Sequence, residues 1–147
     1  AVLMAGYKDT SSSDAVYMLD WYAYGIGKVP TKVATTYQNI SDAWSLLIDQ
    51  KWHDRITAIK VSDGGLSYVE FFEYRKNKMS IPLFNIYCAT GSNREYYAER
   101  TDLIQLGQTT QAIYFAKLTN EGEQSELALT GDEIKARFSL VNQAWNN

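Results

Sequence analysis

The single histidine, His53, is the residue with the clearest potential for acid–base chemistry. An imidazole titrates near neutral pH, and a neighbouring carboxylate can orient the ring. Asp49 and Asp54 lie close enough in sequence to do so. A partly solvated position at the C-terminal end of a helix, favoured by the helix dipole, is the more common role for such a histidine. We therefore assign His53 no catalytic role.

Two other groups of residues could supply a nucleophile or an acid. Cys88, the only cysteine, lies within the apolar run 84–88, whereas a reactive thiolate needs exposure and a nearby cation or helix N-terminus. We predict that Cys88 is buried and structural. Glu95, Glu99 and Asp102 lie on a predicted strand, where paired carboxylates can act as acid and base. Their spacing is more typical of a solvent-facing side.

No enzyme motif accompanies these residues. The chain lacks a glycine-rich phosphate loop, a nucleophile elbow, a paired-cysteine zinc motif and a dinucleotide fingerprint. The sequence therefore predicts no catalytic residue, no metal ligand and no cofactor, and favours a protein that is not an enzyme. A small hydrolase that uses His53 with Cys88 or an acid is the least favoured alternative.

The composition is typical of one soluble globular domain spanning residues 1–147. Hydrophobic residues make up 46% and charged residues 21%, and the net charge is −3. An acidic chain has no field that would gather nucleic acid, and no apolar run approaches the roughly 18 residues that cross a bilayer. The chain begins with Ala1, which fits either a mature secreted or periplasmic protein or a chain trimmed at its N-terminus, and we expect the first.

The strongest structural signal is a β-hairpin over residues 56–75. Two runs of β-branched and aromatic residues flank Asp63-Gly64-Gly65, a turn typical of two-residue hairpin loops. One face has the larger apolar side chains and is predicted to face the core; it consists of Thr57, Ile59, Val61, Leu66, Tyr68, Glu70, Phe72 and Tyr74.

Two amphipathic helices are predicted to cover the sheet. The first spans residues 41–53, with Ser41 as its cap and an apolar stripe of Trp44, Leu47, Ile48 and Trp52. The second spans residues 131–145 and begins with a capping box of Thr130 and Glu133; its stripe consists of Ile134, Phe138, Val141 and Trp145.

Further strands are predicted at residues 81–89, 95–106 and 112–116, and residues 15–24 fit either a central strand or a buried helix. Strands that follow one helix and precede another favour an α+β fold. The predicted fold is a curved antiparallel sheet of about five to six strands with two helices packed on one face.

Aromatic residues in excess of this core are the main indication of function. Trp21, Tyr22 and Tyr24 form one group, and Tyr96 and Tyr97 form another. Neighbouring rings on a strand point to opposite faces, and exposed tyrosine and tryptophan are favoured at recognition surfaces. Complete burial of these rings in a two-sided core is equally compatible with the sequence.

We therefore predict a non-catalytic protein-binding module that uses these five aromatic residues, for example a secreted or periplasmic inhibitor or immunity-type protein. Its partner is another protein, and the acidic net charge favours a basic one. The oligomeric state stays open. The alternative is a small-ligand carrier with an apolar pocket between the sheet and its helices.

Overall fold

A computed structural model describes residues 2–3, 17–76 and 78–141, which form two antiparallel sheets. In spatial order, the first sheet consists of β1 (Val2–Leu3), β2 (Tyr17–Ala23), β3 (Thr31–Asn39), β4 (Trp44–Leu47) and β10 (Phe138–Leu140). The second consists of β5 (Ile56–Asp63), β6 (Leu66–Arg75), β7 (Lys78–Thr90), β9 (Ala112–Leu118) and β8 (Ile104–Gln108). The helices are a 3-10 turn (Gln50–Trp52), α1 (Arg94–Ala98), α2 (Asn120–Glu123) and α3 (Gly131–Arg137).

The predicted α+β fold is wrong, because the described chain is mostly β and its strands form two sheets, not one curved sheet with two helices. The core lies between the sheets, where residues of both form one buried cluster. Tyr37 of β3 meets Phe71 of β6 edge to face, with ring centroids 5.6 Å apart. This is the arrangement of a β-sandwich.

The first predicted helix, over residues 41–53, is a turn, a strand and a 3-10 turn. Ala43 has a φ of +57°, which an α-helix excludes. The side-chain oxygen of Asn39 accepts hydrogen bonds from the Ser41 hydroxyl and the Asp42 amide, and so closes the turn. Trp44 and Leu46 then alternate into the core as strand residues. Of the predicted stripe, Trp44, Ile48 and Trp52 are buried, but Leu47 is exposed and Leu46 is buried instead. The error arises because a short apolar run is compatible with either a strand or a helix.

The predicted C-terminal helix is only partly present. The capping box of Thr130 and Glu133 is confirmed, and Ile134 is buried. The helix ends at Arg137, however, and Phe138 begins β10. Trp145 lies outside the described residues.

The predicted strand over residues 95–106 is also wrong. Residues 94–98 form α1, and β8 begins only at Ile104. The predicted strands at 81–89 and 112–116 are confirmed as parts of β7 and β9, and residues 17–23 adopt the strand alternative.

The central hairpin is confirmed, but its buried face is the opposite of the predicted one. Asp63 pairs with Leu66 across a two-residue loop in which Gly64 has a φ of +57°. The buried face contains Ile56, Ala58, Val69, Phe71 and Glu73. On the face predicted to be the core, only Thr57 is buried.

The choice of face reflects what lies opposite each side of the second sheet. The first sheet and its connections bring Tyr37, Trp44 and Trp52 into the interior, where Tyr37 packs on Phe71 and Trp52 on Phe84 of the inner face. Further rings occupy the outer face, where Tyr68, Tyr87 and Phe115 form a row with centroids 5.1 and 4.9 Å apart. Tyrosine suits this position because its hydroxyl stays at the surface.

Glu73 is fully buried on the inner face of the hairpin. Its carboxylate accepts a hydrogen bond from the Ser125 hydroxyl at 2.7 Å and forms ion pairs with Arg55 and Arg75. These contacts compensate a charge that would otherwise be costly to bury.

The buried face can be tested with two neighbouring phenylalanines. We expect Phe71→Ala to reduce the free energy of unfolding by about 3–5 kcal/mol, because Phe71 stacks on Phe84 within the core. Phe72→Ala is the matched control and should cost less, roughly 1–2 kcal/mol, because Phe72 lies half-buried on the outer face. Urea unfolding measures both, and a larger loss for Phe72→Ala would contradict this assignment of faces.

Candidate functional site: an exposed hairpin and the cleft at its base

Beyond the core, the ends of β2 and β3 and the loop that joins them form an exposed hairpin, which we call the projecting hairpin (residues 21–33). Every residue in this range is exposed. At its end, the Lys28 amide donates a hydrogen bond to the Gly25 carbonyl oxygen at 3.1 Å, and Gly27 has a φ of +69°. Glycine suits this turn because it adopts positive φ without steric cost.

The projecting hairpin presents large apolar side chains to solvent. Tyr24 is 79% exposed, Val29 is 85% exposed, and Ile26 at the turn is fully exposed. Trp21, Tyr22 and Val33 add to the same surface. Single exposed apolar residues are ordinary on proteins, whereas a contiguous group of this kind marks an interaction site.

Both faces of the ribbon carry a ring next to a β-bulge. Trp21 pairs with Ala34 and Tyr22 with Lys32, so Val33 is the extra residue on β3. Trp21 and Tyr22 point to opposite faces, yet each remains about half exposed. The Trp21 indole donates a hydrogen bond to the Thr36 hydroxyl at 2.9 Å, which fixes the orientation of this ring.

The second group of predicted aromatic residues lies on the other sheet. Tyr97 of α1 is half-buried and stacks on Phe115 of β9, with centroids 5.4 Å apart. Tyr96 is exposed and meets the edge of Tyr97. The five predicted site residues therefore form two surfaces, and Trp21, Tyr22 and Tyr24 share the projecting hairpin.

A cleft of about 840 Å³ lies at the base of the projecting hairpin. Its lining consists of Met18 and Asp20 on β2, residues 32–35 on β3, residues 47–50 with His53 and Asp54, and Arg137 of α3. A space of this size is in the range of ligand pockets. No sequence motif predicts this cleft, because its lining residues are far apart in the chain.

Three ion pairs organise the cleft. Lys32 lies 2.8 Å from the Asp20 carboxylate, which also accepts a hydrogen bond from the Thr35 hydroxyl at 2.7 Å. Arg137 binds Asp49 at 2.6 Å. His53 and Asp54 lie 3.0 Å apart, and both are largely exposed.

The pKa of Asp20 is lowered from its ordinary value, chiefly by the hydrogen bond from Lys32 and then by that from Thr35. A lowered pKa favours the carboxylate in the folded state. Its contribution to stability is therefore fully present above the ordinary pKa and is lost as the pH falls through the folded pKa.

The residues considered for catalysis do not form one site. His53 lies at the mouth of the cleft, whereas Cys88 is buried in the core between the sheets. Burial raises the pKa of the Cys88 thiol to about 11. Glu95 and Glu99 are exposed at α1, and Asp102 pairs with Arg100 in the turn that follows.

The searches for related proteins gave no match, neither to a protein-family model nor to a curated protein or a solved structure. Within residues 2–3, 17–76 and 78–141, no group of three or more histidine, cysteine, aspartate or glutamate side chains is arranged to hold a metal ion. No helix in the described part of the chain has the length and apolar character needed to cross a membrane.

The sequence signal for the projecting hairpin was visible but incomplete. Gly25-Ile26-Gly27 indicates a turn, and Tyr24, Ile26 and Val29 are unusually apolar neighbours for one. This mismatch between turn chemistry and apolar side chains makes Ile26 and Val29 further candidates for the same surface.

The Asp20–Lys32 pair predicts a specific titration. Lys32→Met should raise the pKa of Asp20 towards its ordinary value, because its largest stabilising hydrogen bond is lost. As the pH is lowered, the free energy of unfolding should then begin to decrease at a higher pH than in the parent. Carboxyl carbon NMR measures the pKa; Arg137→Met is the control, since Arg137 binds Asp49. An unchanged Asp20 pKa in Lys32→Met would contradict the assigned cause.

Cys88 should be chemically inert in the folded protein. With a thiol pKa of about 11, only about one molecule in a thousand carries the reactive thiolate at pH 8. We expect a chromogenic disulfide reagent to modify Cys88 at least about 100-fold more slowly in native buffer than in denaturant. Rapid modification of the native protein would restore Cys88 as a candidate nucleophile.

Proposed function

We propose that this chain is a non-catalytic protein-binding module whose contact surface is the projecting hairpin. The observation that carries the proposal is the continuous exposure of residues 21–33, which include six large apolar side chains. Folded proteins rarely leave such a contiguous group in water, because burying it against a partner is favourable.

The form of the hairpin favours insertion into a partner's groove. Rings project from both faces of the ribbon, so a flat partner would cover only one of Trp21 and Tyr22. Trp21 is already held by Thr36, and a ring fixed before binding loses little rotamer freedom in the complex. Tryptophan and tyrosine are enriched among the residues that dominate interface energies.

The arrangement of titratable residues supports a non-catalytic role. A general base and a nucleophile must lie within hydrogen-bond reach of each other. His53 is exposed at the cleft, whereas the thiol of Cys88 is buried with a raised pKa. The candidate pair of a histidine-dependent hydrolase thus lacks the geometry that its mechanism needs.

A second candidate function is the binding of a small ligand in the cleft. The observation in its favour is the volume of about 840 Å³ beside apolar Met18, Val33 and Ile48. Such a carrier would retain a small molecule through purification, and native mass spectrometry would detect it as a constant added mass that disappears on unfolding.

The hairpin proposal predicts a selective loss of binding. Tyr24→Ala should change stability by no more than about 0.5 kcal/mol, because Tyr24 is 79% exposed. Trp21→Ala and Tyr22→Ala should cost roughly 1–2 kcal/mol, because each ring is half-buried. At least one should weaken binding of a captured partner by about 2 kcal/mol or more, since aromatic anchors dominate interfaces. Titration calorimetry measures the affinity for each partner that the immobilised chain retains.

Tyr96→Ala is the matched control for these variants. Tyr96 is 65% exposed but belongs to α1 on the other sheet. We expect this variant to bind as the parent does. If all three hairpin variants fold normally and bind like the parent, the projecting hairpin is not the contact surface.

A further inference from the structure

We propose that the partner recognised by the projecting hairpin is a second copy of this chain, with each hairpin tip seated in the cleft of the other copy. This inference rests on the function proposed above and adds the identity of the partner. It explains why one molecule carries both a protruding apolar tip and a partly apolar recess at its base.

The tip and the cleft both offer apolar contacts. The strands end at Ala23 and begin again at Thr31, so the tip is the loop between these two residues. The tip is narrow and apolar, with Tyr24, Ile26 and Val29 exposed. The cleft offers apolar contacts from Met18 and Ile48.

The charges of the tip and the cleft are complementary. Lys28 is the cation of the tip, and it makes no ion pair with another described residue. The cleft contains three carboxylates, Asp20, Asp49 and Asp54, against the permanent cations Lys32 and Arg137. Asp54 is 82% exposed, and its partner is His53, which is charged only when protonated. Asp54 is therefore the carboxylate best placed to receive Lys28 of a second copy.

The size of the resulting interface matches that of a specific dimer. The hairpin has thirteen residues and the cleft lining another thirteen, and Lys32 and Val33 belong to both, so each copy contributes 24 residues. Specific interfaces use about 20–30 residues a side. Exchange between two copies is isologous and closes on itself, which produces a dimer and not a filament.

The overall charge of −3 does not prevent this association. Solvent-exposed charges more than about 8 Å apart are largely screened at physiological salt. The contacts that decide the association are local, and each of the two interfaces joins a tip cation to a carboxylate-rich cleft. A different protein, or a small ligand in the cleft, would be the other possible occupants, and the experiment below separates them.

The test uses complementary charge reversals in the full chain. Sedimentation velocity over a range of concentrations should show dimers of two 16.7 kDa chains for the parent. In a dimer of the Lys28→Glu variant, a negative tip would meet Asp54 of the other copy at both interfaces. In a dimer of the Asp54→Lys variant, Lys28 would meet a positive charge in the cleft at both interfaces. Each variant should therefore dimerise at least tenfold more weakly than the parent. In an equimolar mixture both interfaces again join opposite charges, and dimers should return.

Folding of the variants is controlled separately. Asp54 has a φ of +56°, a conformation that asparagine adopts readily, so Asp54→Asn serves as the second variant and should weaken the dimer without strain. Lys51→Glu is the charge-matched control for Lys28→Glu, because Lys51 is not part of the cleft lining or the hairpin. It should dimerise like the parent.

The outcomes distinguish this inference from the proposed function. A monomeric parent, or a mixture that does not recover dimers, overturns the exchange. If Tyr24→Ala nevertheless lowers the capture of another protein, the hairpin remains a recognition surface with a different occupant. If none of Trp21→Ala, Tyr22→Ala and Tyr24→Ala changes self-association or capture, both proposals fall.

Discussion

The contact between Tyr37 and Phe71 is the interaction on which the rest of the structure depends. It joins the two sheets, and through it a continuous set of rings runs across the core: Tyr37 also meets Trp44, and Phe71 stacks on Phe84, which in turn stacks on Trp52. The Trp52 indole donates a hydrogen bond to the Leu127 carbonyl oxygen, so the same set also holds the loop before α3. Removing large rings from such a core leaves cavities that the surrounding backbone cannot fill.

The position of these rings also determines where the two sheets stop covering each other. Met18 and Tyr37 are the last buried residues along β2 and β3, and from Trp21 to Val33 the ribbon is exposed on both faces. An isolated hairpin is marginally stable in water. The ribbon is therefore supported at its base, by the Asp20–Lys32 pair and by the hydrogen bond between Trp21 and Thr36. Strands β2 and β3 thus contribute to the core at one end and to the candidate site at the other.

Local chemistry could be predicted from the sequence, and long-range packing could not. The turn at Gly64 and the capping box at Thr130 depend on a few adjacent residues, and both are present. Trp44 was correctly expected in the core but on the wrong element, because apolar spacing alone does not separate a short buried strand from a helix. Trp21, Tyr22 and Tyr24 were proposed as site residues from their types alone, and their side chains are exposed. The cleft was not, since Asp20, Asp54 and Arg137 meet only after both sheets have formed.

The buried carboxylate of Glu73 has a consequence for the alignment of strands. A shift of β6 by one residue would turn Glu73 outward, away from Ser125 and the two arginines, and would bring Phe72 and Tyr74 inward. By size and hydrophobicity alone, that slipped pairing has the richer apolar face. The slipped pairing is nevertheless disfavoured, because it exchanges the carboxylate of Glu73, which Ser125 and two arginines compensate, for that of Glu70 on the inner face. The residue therefore selects among alternative pairings of the same hairpin, and it links the choice of register to a loop more than fifty residues away.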